Sequence, residues 1–75
     1  MRLSCQISLG PDPCGNCMRE LEYHYYLRER EHVAIIWDCM GPISVSSGSP
    51  GKVASFISEF RGNPQVDELF RHLCA

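Results

Sequence analysis

The sequence predicts an α+β fold, a mainly antiparallel sheet with two helices on one face, in the chain order βαββα. Three observations predict it. Residues 1–9 alternate apolar and polar side chains, residues 33–46 read as a hairpin, and Ser49-Pro50 opens a segment with apolar positions at helical spacing.

In the first segment Met1, Leu3, Cys5, Ile7 and Leu9 face one way, and Arg2, Ser4, Gln6 and Ser8 face the other. That is the pattern of a half-buried strand, and Gly10-Pro11-Asp12-Pro13 breaks it. Residues 13–31 carry two competing patterns. Met18, Leu21 and Tyr25 recur at helical spacing, with Asp12 as a cap and Pro13 in the first turn. Leu21, Tyr23, Tyr25 and Leu27 also alternate with Glu22, His24, Tyr26 and Arg28, as in a strand. The charged residues Arg19, Glu20, Glu22, Arg28, Glu29, Arg30 and Glu31 are good helix formers, so the expectation is a helix.

Val33-Ala34-Ile35-Ile36-Trp37 is an apolar, β-rich run too short for a typical helix. Cys39-Met40-Gly41-Pro42 turns the chain, and Ile43-Ser44-Val45-Ser46 returns as the second arm. Ser49 supplies a hydroxyl cap and Pro50 stands at the first helical position. Val53, Phe56, Ile57 and Phe60 then form one apolar face, and Gly62-Asn63-Pro64 ends the helix. In the tail, Val66, Leu69, Phe70 and Leu73 suit a short helix. A last strand near Val66–Phe70 would instead complete a ferredoxin-like βαββα(β) sandwich.

Seventy-five residues make one domain, spanning 1–75, with a modest core. The formal charge is −2 and the seven cationic residues are scattered, so no nucleic-acid footprint exists. No apolar run approaches the ~20 residues of a membrane span. Ser4, Gln6 and Ser8 interrupt any signal-like core, and a cytoplasmic location is expected. Paired carboxylates, a nucleophile beside a base and a phosphate-cradling loop are all missing, so the expected role is non-enzymatic.

The five cysteines are an odd number and cannot all pair within one chain. Only Cys14 and Cys17 have a functional spacing, in the loop Asp12-Pro13-Cys14-Gly15-Asn16-Cys17. Cys5, Cys39 and Cys74 read as small hydrophobes. Two thiolates on one short loop suit a soft ion such as Cu(I), left exposed and transferable. A helix starting at Met18 would help ionise Cys17. The same pair also suits thiol–disulfide exchange. His24, His32, Cys39 and Cys74 are conceivable extra ligands whose spacing does not require that role. Tyr23, Tyr25, Tyr26 and Trp37 suit core packing or a partner-binding surface. Ser44 and Ser46 mark a polar edge strand open to β-augmentation or to homodimer pairing.

The chain resembles the heavy-metal-associated domain family of copper chaperones and metal-pumping ATPases. The likeness rests on the strand Leu3–Leu9 before Cys14-x-x-Cys17, on Leu21 and Tyr25, and on His32-Val33-Ala34-Ile35. Ser49-Pro50 through Val53, Phe56, Ile57 and Gly62 completes it. Where that family has Gly-Met-x-Cys, this chain has Pro11-Asp12-Pro13-Cys14. It is equally similar to the divergent copies in plant immune receptors, whose sheet faces or edges bind other proteins. The resemblance implies Cu(I) or Zn(II) on Cys14 and Cys17, carried to a partner protein. Its divergent branch implies a protein-interaction module instead.

Overall fold

The computed structural model describes residues 1–74, and for Cys74 the backbone alone. Strands β1 (Arg2–Pro11), β2 (Met18–Tyr26), β3 (Glu31–Asp38) and β4 (Gly41–Gly48) come first in the chain. Helices α1 (Pro50–Ile57) and α2 (Pro64–Cys74) follow, linked by a single 3-10 turn at Ser58–Phe60. The strands form one antiparallel meander in the order β1-β2-β3-β4. The α+β class is as expected, but the order is not βαββα, because both helices follow all the strands.

The correction falls on residues 18–26, expected as helix and found as β2. Leu21 lies between Ile7 and Ile36, and Tyr23 lies between Cys5 and Ala34. Those pairings bury Leu21 completely and Tyr23 almost so. Of the charged residues that favour helix, Glu20 and Glu22 take the opposite face of the strand by period-two alternation. Arg19 lies over the Phe60 ring on the helix side, and Arg28, Glu29 and Arg30 fall in the turn before β3. The tail is the helical alternative, and no strand forms near Val66–Phe70.

Each connection is set by local chemistry. Between β1 and β2, the Asp12 N–H donates to the Cys17 carbonyl (2.8 Å) and the Gly15 N–H to the Asp12 carbonyl (2.9 Å). Gly15 takes φ +74°, a conformation glycine adopts without a Cβ penalty. Between β3 and β4, Asp38 Oδ1 accepts from the Met40 N–H at 2.7 Å and Gly41 takes φ +119°. Ser49 caps α1, its hydroxyl accepting from the Lys52 N–H at 3.4 Å. Asn63 caps α2 by accepting from the Gln65 N–H at 2.9 Å, and its Nδ2 donates to the Ser8 carbonyl at 2.8 Å. That second bond ties the start of α2 to β1.

The core joins one sheet face to the helices. Ile7, Leu21, Tyr23, Ala34 and Ile36 meet Val53, Ala54 and Ile57 of α1 and Val66 and Leu73 of α2. Phe56, Phe60, Leu69 and Phe70 pack at its margin. Among the described residues, no helix is long and apolar enough to cross a membrane.

Candidate functional site

Register decides what each sheet face displays. Leu3, Cys5 and Ile7 share the helix-facing side with Leu21, Tyr23, Tyr25, His32, Ala34 and Ile36. Alternation puts Ser4, Gln6, Ser8, Glu20, Glu22, His24, Val33, Ile35, Trp37 and Val45 on the other side. Both helices pack on the first side, so the second is an open face.

An apolar row crosses that open face. Ile35 of β3 pairs with Val45 of β4, with Val33 and Trp37 on either side of Ile35 along the strand. Val33, Ile35 and Trp37 are half-buried, whereas Val45 is 62% exposed and Ile43 is 51% exposed. Glu20, Glu22 and His24 of β2 border the row, since they pair with Trp37, Ile35 and Val33. His24 Nε2 lies 3.0 Å from Glu22 Oε2. Trp37 Nε1 and His24 Nδ1 are buried and have no hydrogen-bond partner within the described residues. Such unpaired groups are costly, and each calls for a partner group.

Cys14, Cys17 and Cys39 gather at one end of the sheet, but not as a Cys14–Cys17 pair, and Cys5 lies mid-strand in β1. Cys14 is an exposed free thiol at the tip of the β1–β2 loop, where Asp12 Oδ1 also accepts from the Asn16 N–H at 2.8 Å. Cys17, at the base of that loop, is joined by a disulfide to Cys39 in the β3–β4 turn, with 5.5 Å between their Cα atoms. In this state Cys17 offers no thiolate for a metal ion. Nor does it stand at a helix N-terminus, because β2 follows it. Cys17, Cys39, Met18, Glu20 and Trp37 line one depression, so the bond borders the apolar row. Among the described residues, no group of three or more His, Cys, Asp or Glu side chains is placed to hold a metal. The Cys74 side chain lies outside the described residues.

His32 is buried on the helix-facing side. Its Nδ1 shares a 2.5 Å hydrogen bond with the Tyr23 hydroxyl, and its ring stacks on Tyr25 at 4.2 Å between centroids. Burial pushes the His32 pKa down. The Tyr23 pKa is pushed up to about 12 by burial, then by Cys5 and Tyr25. Both groups are therefore held neutral near pH 7, as a core pair rather than an acid–base couple. Partial burial also raises the Cys5 thiol, which faces Tyr23 across the sheet.

Sequence reasoning named Trp37, but it missed Val33, Ile35, Val45 and Ile43 as one row. The signal was the hairpin itself: with Gly41 turning the chain, alternate residues of both arms must share a face. No protein-family model, curated protein or solved structure matches this chain.

Proposed function

We propose that the chain is a non-enzymatic binding module that recognises another protein through the open face of its sheet. The observation that supports this reading is the row Val33, Ile35, Trp37 and Val45, continued by Ile43, on the face that no helix covers. Contiguous exposed apolar surface rimmed by polar groups is how interaction sites present themselves. Trp37 is the natural anchor, since tryptophan is enriched where binding energy concentrates. Glu20 and Glu22 along the border suit a partner with a basic rim.

The test is crosslinked capture from extracts of the source cells, with wild type and two variants whose fold is checked by circular dichroism. Ile35→Glu is expected to reduce capture by about tenfold or more, the loss of a central contact. Cys14→Ser is expected to leave it unchanged. Capture that survives Ile35→Glu and disappears with Cys14→Ser overturns the reading.

A second reading has its own observation, the meeting of Cys17 with Cys39 beside a loop that carries Cys14. Once the disulfide is reduced, Cys14 and Cys17 are free to act as thiolate ligands for Cu(I) or Zn(II), with the ion passed to a partner by thiolate exchange. A cytoplasmic location would keep these cysteines reduced; an oxidising one would keep the bond. A reducing, anaerobic Cu(I) titration against a competing chelator decides it. Tight one-to-one uptake, lost when Cys14 and Cys17 are both serine, is what this reading predicts. Weak or non-stoichiometric uptake removes it.

A further inference from the structure

The two edges of the sheet are built differently. β1 is blunted: its register shifts between Ser8 and Gly10, and it carries Arg2 at its start and Pro11 at its end. Its Ser8 carbonyl also already accepts from Asn63. β4 has few such devices. Gly41–Gly48 contains no charged residue, and its one proline, Pro42, is next to the first position. The register shift between Ile36 and Trp37 leaves Ile43 as an extra residue at that same end of β4. From Ser44 to Ser47 the outer backbone edge lies beside no further strand among the described residues. Charge, interior proline and bulges are what keep natural edges from pairing, and this segment has none of them.

We propose that β4 pairs antiparallel with β4 of a second copy of this chain, about a two-fold axis through Val45. The sequence of the strand selects this occupant. In that register Val45 meets its own copy on the open face, Ile43 lies opposite Ser47, and Ser44 lies opposite Ser46 on the helix-facing side. No like charges meet anywhere along the strand, which is the electrostatic condition for self-pairing. The symmetric arrangement closes at two copies, whereas β4 against β1 of another copy would leave open ends. It also joins the two apolar rows across the axis into one larger surface. The pairing adds a second contact surface to the open-face reading and does not depend on it. One short strand pair buries little area, so the complex is a reversible monomer–dimer equilibrium rather than a permanent dimer.

Sedimentation equilibrium over a rising concentration series tests the pairing, with circular dichroism confirming that each variant is folded. Wild-type mass is expected to climb from the monomer to twice that value and stop. Ser44→Lys sets like charges near each other across the axis without touching the open face, and weakens association by about tenfold or more. Adding Ser46→Glu places an acid opposite that lysine in the second copy and restores association. Ile35→Lys, which alters the open face and leaves the edge intact, still dimerises. A monomer at every concentration, or growth beyond the dimer, overturns the proposal. So does association that Ser44→Lys spares and Ile35→Lys abolishes, which would mean stacked open faces and would leave the open-face reading standing. Loss of association in Cys14→Ser would show a covalent dimer instead, and would also overturn it.

Discussion

Reducing the Cys17–Cys39 bond is expected to destabilise the domain by about 3 kcal/mol, from the loop-closure entropy returned to the unfolded chain. The cross-link spans 22 residues and encloses all of β2 and β3, so its main effect falls on the unfolded state. Roughly 4–11 kcal/mol is the whole stability of a domain this size, at ~0.05–0.15 kcal/mol per residue. The loss is therefore a large share. Urea denaturation with and without a dithiol reductant measures it. Cys17→Ser and Cys39→Ser should each lower the midpoint by the same amount as reduction, and reductant should then have no further effect on either. A midpoint indifferent to reductant would mean that the bond constrains nothing.

Leu21→Ala is expected to cost about 3 kcal/mol, within the range of ~2–5 kcal/mol for emptying a buried leucine site. Leu21 is fully buried at the centre of β2, between Ile7 and Ile36, with the helices above it. Strands on both sides fix the backbone there, so the cavity collapses only partly. Ile35→Ala, on the open face of the neighbouring strand, should cost clearly less. Equal losses at the two positions, by urea denaturation, would show that the open face is covered in solution.

The elements with one dominant pattern were legible. Alternation in residues 2–9, the Gly41 turn and the Ser49-Pro50 helix start stand in the structure where the residues put them, whereas the pattern of the tail leaves helix and strand both open. Residues 18–26 were misread because their charges are intrinsic helix formers while their apolar residues alternate. Propensity is a weak local bias, and pairing with strands on both sides overrode it. The error then hid the cysteine geometry. With β2 taken as a helix, nothing brings Cys17 towards Cys39. With β2 as a strand, Glu20 pairs with Trp37, and both cysteines lie just past that pair at the same end of the sheet. The open apolar row was hidden by the same step, since a helix after β1 would have implied a different cover for the sheet.

Hydrogen–deuterium exchange on the domain, free and bound to the protein that it captures, tests the binding-face claim most directly. The account predicts protection concentrated on β3 and β4, around Val33, Ile35, Trp37 and Val45, with the loop 12–17 unchanged. Protection confined to that loop and the turn at Cys39, with β3 and β4 unaffected, would contradict it and move the site to the cysteines.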